Sequence, residues 1–288
     1  MSEEIKREFH KLYNGKVIIE FLPDSHYYFL IKDGKELPKK KRLTGVTSFT
    51  SQLDKSTPLL IWATRLYTAT VKELMGEATA FHADDLLAML EAGEGAYKEI
   101  KEKAAGIGDY VHEFAKEYSK DTDAKKAYNR VLNNLGPPPS DMVDPINNGC
   151  IGFTKWVEEN KAKILNSEKI IYSRKFGFVG RYDAILEIDG KKYLADYKTS
   201  KNIYPEYYYQ VSAYLNAWEE EHEEKLAGSI IVSIVKENVE NKQGEIVKHA
   251  GEVIMETRSR ADCVSDYKAF KALIDIKDRQ RVNVKWGK

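Results

Sequence analysis

An Asp-Gly pair at residues 189–190 joins two runs that alternate in character, Arg181 to Ile188 and Lys191 to Lys198. Asp-Gly tolerates the two positive φ angles of a two-residue hairpin loop, so this segment is read as a β-hairpin with a defined register. Ile188 then faces Lys191, Asp183 faces Asp196, and Arg181 faces Lys198. Side chains alternate between the two faces of a strand. One face therefore carries Tyr182, Ala184, Leu186 and Ile188 against Lys191, Tyr193, Ala195 and Tyr197. The other gathers Arg181, Asp183, Asp196 and Lys198 at the open end. Opposed like charges are unfavourable. Two readings follow from the hairpin alone: the two acids share a hard divalent cation such as Mg²⁺ or Mn²⁺, or Arg181 and Lys198 neutralise them.

The rest of the chain surrounds this hairpin with both kinds of secondary structure. Val17 to Leu22 and Tyr27 to Ile31 read as strands, with a turn at Asp33-Gly34. Thr57-Pro58 looks like a helix start, and the pattern stays mainly helical from Leu59 to about Leu90. A helix from about Glu94 to Ser119 carries the apolar stripe Ile100, Ala104, Ile107, Val111, Phe114 and Tyr118. Another covers Asn147 to Asn160. Strands are expected at Ile170–Phe176, Ser229–Val235 and Glu252–Glu256, with helices over Glu206–Glu224 and Arg260–Asp278. The expected class is α/β (α+β), a mixed central β-sheet flanked by helices. The 288 residues suit a single domain, with 1–95 as an N-terminal strand and helix extension and 96–288 as the core.

Composition narrows the function. Cys150 and Cys263 are the only cysteines, too few for a four-cysteine zinc site, a four-cysteine iron–sulfur cluster or a disulfide framework. No apolar run approaches a membrane span, and Met1-Ser2-Glu3-Glu4 resembles neither a signal nor a transit peptide, so a cytoplasmic location without membrane contact is expected. Lys+Arg and Asp+Glu balance at 45 each, whereas nucleic-acid-binding domains are usually basic. The balance hides a local excess: Lys161 to Lys201 holds ten Lys+Arg and five Asp+Glu. Lys39-Lys40-Lys41-Arg42 offers a second contact for phosphates, or a solvated surface run. Tyr204, Tyr207, Tyr208 and Tyr209 offer stacking surfaces for unpaired bases, or packing.

Four short motifs occur in order: Gly108-Asp109-Tyr110-Val111-His112, Gly180-Arg181-Tyr182-Asp183, Asp196-Tyr197-Lys198-Thr199 and Gln210-Val211-Ser212-Ala213-Tyr214. Together they resemble the PD-(D/E)xK nuclease superfamily in its RecB-like branch, with a restriction-endonuclease-like core. Gly45-Val46-Thr47-Ser48 and the strand Ile230–Val235 are similar to features of the mitochondrial genome maintenance exonucleases and their phage and bacterial relatives. That resemblance implies a Mg²⁺- or Mn²⁺-dependent DNA exonuclease, without an iron–sulfur cluster, favouring single strands or free ends in recombination, repair or replication. It implies His112, Asp183, Asp196 and the Tyr197 carbonyl as metal ligands, Lys198 as the catalytic lysine beside Asp183 and Asp196, and Gln210 and Tyr214 as residues that shape the site and the nucleic-acid path; Thr199 is a further candidate substrate contact, and Arg181, opposite Lys198, is read either as a contact for a neighbouring phosphate or as an ion-pair partner for the acids. Glu168 stands where the family places a glutamate just before the first core strand, and receives no role from the sequence. The alternatives are a nucleic-acid-binding scaffold that has lost catalysis, or a site-specific endonuclease.

Overall fold

The computed structural model describes residues 6–78 and 80–283. Strands β1 (Glu8–Leu12), β2 (Val17–Leu22), β3 (Tyr27–Asp33) and β4 (Lys35–Arg42) form an antiparallel sheet in that order. Gly34, at φ +73°, turns β3 into β4 at the expected Asp33-Gly34 corner. The chain continues through β5 (Thr44–Gly45) and five helices: α1 (Val46–Thr50), α2 (Ser56–Met75), α3 (Ala83–Tyr118), α4 (Ala124–Leu135) and α5 (Val143–Glu159). The second half contains β6 (Lys163–Tyr172), β7 (Phe178–Ile188), β8 (Lys191–Lys198), α6 (Pro205–Glu221), β9 (Gly228–Ile234), β10 (Val239–Glu240), β11 (Ile246–Lys248), β12 (Val253–Ser259) and α7 (Arg260–Asn283).

The main sheet has the order β12-β9-β8-β7-β5, with β6 also paired to β7. It is mixed: β8–β9 and β5–β7 run parallel and the other pairs antiparallel. Every residue of β9 is buried, as expected of a strand covered on both faces. Ala184, Leu186, Ala195, Tyr197, Ile230 and Val232 pack against Ile107, Val111, Phe114 and Phe153 from α3 and α5. On the opposite face Phe178, Ile185, Leu194 and Ile231 meet Val211, Leu215 and Trp218 of α6 and Phe270 of α7. The small sheet lays Val17, Ile19, Phe21 and Leu30 on Ile170, Tyr172 and Val179. Among the described residues no helix is long and apolar enough to cross a membrane.

The hairpin register is as expected: Ile188 faces Lys191, and the ladder continues to Ala184 opposite Ala195. Asp189 and Gly190 take φ +49° and +71°. The ladder stops there, so neither the expected Asp183–Asp196 pair nor the expected Arg181–Lys198 pair forms; Asp196 and Lys198 pair with Ile231 and Ser233 of β9 instead. Without β8 to hold its pleat, β7 departs from alternation. Tyr182 leaves the face of Ala184, joins the core of Ile185 and Leu194, and donates to Asn166 Oδ1 at 3.0 Å.

Other boundaries move for local reasons. Thr57 does not cap α2: the helix begins at Ser56, whose N–H donates to Asp54 Oδ1 at 2.8 Å. Gly76, at φ +54°, breaks the helical stretch expected to reach Leu90. Beyond it α3 begins at Ala83, well before Glu94, and its first half packs on α2, which leaves Ile100 exposed. Besides the short strands β5, β10 and β11, two longer elements had no counterpart in the residue pattern. Strand β1 extends the small sheet, and α4 is capped by Asp123, whose Oδ1 accepts from the Lys126 N–H at 2.9 Å. Strand β6 begins at Lys163 because its polar half pairs with β7 down to Glu187.

Candidate active site

The gap in the main sheet places the chemistry. One edge of β7 is paired with β6 from Val179 to Glu187. The other edge is shared, by β5 over Phe178–Val179 and by β8 over Ala184–Ile188. Gly180 to Asp183 lie between these two partners.

Asp183 Oδ2 accepts the Tyr197 N–H at 2.6 Å and lies 3.6 Å from His112 Nδ1. His112 reaches it from α3, one helical turn beyond Gly108. A Cβ at Gly108 would stand 3.2 Å from Thr199 Oγ1, so the glycine lets α3 approach the end of β8. Glu168, on β6 with φ +52°, completes a group with His112 and Asp183 in which one donor atom of each lies within 4.8 Å of the others. The sequence reading brought Asp196 into this set and left Glu168 out. Asp196, 2% exposed, instead holds Lys198, with Oδ2 to Nζ at 2.5 Å. Arg181 Nε pairs with Glu168 Oε2 at 2.9 Å.

The remaining expected residues form the walls. Gln210 Nε2 donates to the Tyr214 hydroxyl at 2.9 Å, and the Tyr214 ring fills the space beside Gly180, where a Cβ would meet it at 2.4 Å. The Gly180 and Tyr214 motifs are therefore the two halves of one contact. Lys198 Nζ lies 4.8 Å from the centre of the Tyr207 ring, and Tyr204 is exposed beside it in an edge contact. Tyr208 turns away, donating to Glu256 Oε1 at 2.7 Å under the Arg258 guanidinium. Tyr209 packs on the α6 side of the core.

Electrostatics follows from this crowding. Burial pushes the Glu168 carboxyl up to about 7, Asp183 adding to the rise and Arg181 opposing it. Burial likewise lifts Asp196 to about 6, against the pull of Lys198 and with the push of Asp183. Burial also penalises charge on Asp183, but His112, Lys198 and the Tyr197 N–H outweigh it and hold that carboxyl below its ordinary value. Burial disfavours the charged Lys198, yet Asp196 and Asp183 raise its pKa above normal. At neutral pH Lys198 is thus a fixed ammonium group and not a base.

Two carboxylates and an imidazole converging with this much mutual strain form a donor set that fits a hard divalent cation, whose charge would offset the repulsion between Glu168 and Asp183. A sequence model described as PD-(D/E)XK nuclease superfamily matches residues 78–275, more than two thirds of the chain. The chain belongs to the PD-(D/E)XK nuclease superfamily. The mixed sheet flanked by helices agrees with that assignment, which makes nucleic acid the expected class of substrate. Superfamily members generally use divalent metals. No curated protein matches the chain. Among solved structures, the one titled "Crystal structure of SSO0001" is similar over 57% of this chain and 74% of its own, at 16% identity and a TM-score of 0.25.

Proposed function

We propose that this superfamily member is a metal-dependent DNA exonuclease of the RecB-like branch, akin to the mitochondrial genome maintenance exonucleases. It acts as one nuclease unit of 288 residues on single strands or free ends, in recombination, repair or replication. The observation that carries this reading is the meeting of the His112–Glu168–Asp183 group with the Asp196–Lys198 pair at the gap in the sheet. The four motifs in series favour the exonuclease branch over a site-specific endonuclease.

His112, Glu168 and Asp183 would hold a Mg²⁺ or Mn²⁺ ion, with Asp196 and the Tyr197 carbonyl as further ligands. When bound, such an ion polarises a phosphate oxygen and lowers the pKa of a coordinated water. Lys198, kept protonated by Asp196, orients the attacking water and offsets the charge that grows on the phosphate. Asp183 is held in place by the Tyr197 N–H, so its carboxylate is aimed before substrate arrives. Arg181, tied to Glu168, faces a neighbouring phosphate. Thr199, Gln210 and Tyr214 shape the path of the strand, Gln210 and Tyr214 through their mutual hydrogen bond.

Digestion of 5′-labelled and 3′-labelled single strands tests this reading, beside duplex and circular DNA, in Mg²⁺, Mn²⁺ or EDTA. Cleavage is expected to need metal and an end, and to vanish in Asp183→Ala. Cleavage of circles overturns the exonuclease assignment. Binding without cleavage in either metal supports a scaffold instead.

A further inference from the structure

The face of α3 that carries His112 continues for two turns toward the N-terminus, through Gly108 to Ala104, at the four-residue spacing of one helix face. Each of the three positions meets the main sheet at a different strand. His112 reaches Asp183 of β7, and Gly108 meets Thr199 just past β8. The Ala104 carbonyl accepts from Lys236 Nζ at 3.1 Å, two residues past β9. The pleat brings Lys236 there, because it continues the alternation of Ile230, Val232 and Ile234, which face α3 and α5. Asn148 of α5 pins its backbone, donating from Nδ2 to the Lys236 carbonyl at 3.2 Å.

A second lysine stands at the same end of the sheet. Strands β8 and β9 run parallel with Lys198 opposite Ser233, so Lys201 and Lys236 each lie three residues beyond that pair. This is the carboxyl end of two parallel strands, where open α/β sheets collect ligands. Lys248 of β11 ties down the loop that carries Lys201: its Nζ donates to the Lys201 carbonyl at 2.5 Å and to Asn202 Oδ1 at 3.4 Å. Lys201 itself is exposed.

Neither Lys201 nor Lys236 has a carboxylate within ion-pair distance among the described residues, whereas Lys103 on α3 is answered by Asp141 at 2.7 Å. Lys236 spends one of its three N–H donors on Ala104. Burial lowers its pKa; Glu237 opposes the shift, and the charges of Lys201 and Lys103 add to it. Two cations held this near each other, with donors to spare, select an anion.

We propose that Lys236 and Lys201 form a second phosphate site, which holds the substrate strand at a phosphate other than the one being cleaved. This rests on the nuclease reading and adds to it a fixed point for the strand. Ala104 and His112 are eight residues apart, about 12 Å along the helix at ~1.5 Å per residue. At ~3.4 Å of rise per nucleotide, that separation is about three or four nucleotides of a stacked strand and fewer of an extended one. A short run of nucleotides therefore joins the two points along α3, past Thr199, and sets which bond lies at the catalytic gap.

The test is fluorescence anisotropy of a 3′-labelled oligothymidine of about 20 nucleotides, long enough to pass both points, over a series of salt concentrations. The full chain is titrated in EDTA, where no cleavage confuses binding. Lys201→Gln/Lys236→Gln keeps an N–H donor at each position and removes both charges. It is expected to weaken binding roughly 10-fold and to flatten the slope of log K against log salt by about 0.7, the share of one phosphate contact. Lys201→Arg/Lys236→Arg keeps the charges and is expected to keep the slope. Lys191→Gln, at an exposed lysine where β8 begins, is the control for diffuse charge. Wild-type affinity and slope in the glutamine variant overturn the proposal. So does an equal loss in Lys191→Gln, which marks long-range attraction, or an equal loss in the arginine variant, which marks a packing role. The oligonucleotide is used with a 5′-hydroxyl and with a 5′-phosphate. A defect common to both places an internal phosphate at the site, one confined to the second places the terminal phosphate there, and either upholds it. Cleavage of the same oligonucleotide by the wild type in Mg²⁺ is measured alongside. Cleavage with unaltered binding in the glutamine variant rejects only the lysine site, whereas absent cleavage with the expected binding defect rejects the nuclease reading and keeps a strand-binding site.

Discussion

Gly180→Ala places one methyl group where the Tyr214 ring already stands, with Cε1 at 2.4 Å, Cδ1 at 3.0 Å and Val46 Cγ2 at 3.3 Å. Gly180 does not take a left-handed φ, so the substitution costs nothing in backbone strain and its whole effect is steric. Tyr214 is 3% exposed and its hydroxyl is held by Gln210, so the ring cannot swing away freely. Overpacking of this kind costs about 1–3 kcal/mol. For a chain of this size that corresponds to a melting temperature lower by roughly 2–10 °C. Thermal unfolding followed by circular dichroism measures it. In a Tyr214→Leu background Cε1 is gone and the shorter side chain turns aside, so Gly180→Ala is expected to cost under about 0.5 kcal/mol there. Equal costs in both backgrounds, within the ~0.3–0.5 kcal/mol scatter of additive sites, refute the claim that the two motifs form one contact. Activity carries a second signature, because Gly180 lies three residues before Asp183 on β7. A displacement of about 1 Å at that carboxylate is enough to lower turnover ~100-fold.

Gly152→Ala is the contrasting case: the new Cβ would stand 2.3 Å from the Gly251 carbonyl oxygen, which is backbone, so melting is expected to drop further than in Gly180→Ala; equal or milder loss counts against the packing of α5 on that loop. The raised pKa values of Glu168, about 7, and Asp196, about 6, mean that the folded chain holds protons there which the unfolded chain has lost. Their contribution to stability is complete below pH ~4 and is lost as pH rises through 6–7, each tenfold difference in proton affinity between the folded and unfolded chain being worth about 1.4 kcal/mol. The metal-free chain is therefore expected to melt lower at pH 8 than at pH 5, less steeply in Glu168→Gln, with Mg²⁺ or Mn²⁺ restoring the loss at pH 8; a profile unaffected by either change rejects a strained acid group that takes a cation. Lys198→Met is expected to reduce cleavage at least ~100-fold while oligonucleotide binding persists in an anisotropy assay; retained cleavage excludes the role given to the ammonium group.

What could be read from the residues alone follows a physical division between local and long-range constraints. The β7–β8 register was legible because a two-residue Asp-Gly loop leaves no freedom in the pairing that follows it. Where that ladder ends was not legible, because the end is set by β5, which arrives from more than 130 residues earlier and takes the same edge of β7 at Phe178–Val179. Two differences at the site follow, one from each edge of β7. Tyr182 crosses to the other core where β8 no longer fixes the pleat. Glu168 enters the donor group because β6 begins at Lys163 and is carried along β7 past Asp183, while the sequence pattern of β6 became apolar only near Ile170.

The motif glycines show the same division from the other side. Their spacing to His112 and Asp183 was visible, but the reason for a missing Cβ lies in distant partners, Thr199 for Gly108 and Tyr214 for Gly180. Each glycine thus belongs as much to the motif it touches as to the one that contains it. The basic run at Lys39–Arg42 is a parallel case. As a string of charges it fits any solvated strand, and only the cross-strand pairing sets Arg42 over Tyr27 and leaves Lys40 to neutralise Glu20. The same pairing puts Lys41 opposite Leu30 and so sends it, with Lys39, to the other face, which splits the run into two pairs of cations with different surroundings. That difference appears only once the strands are paired.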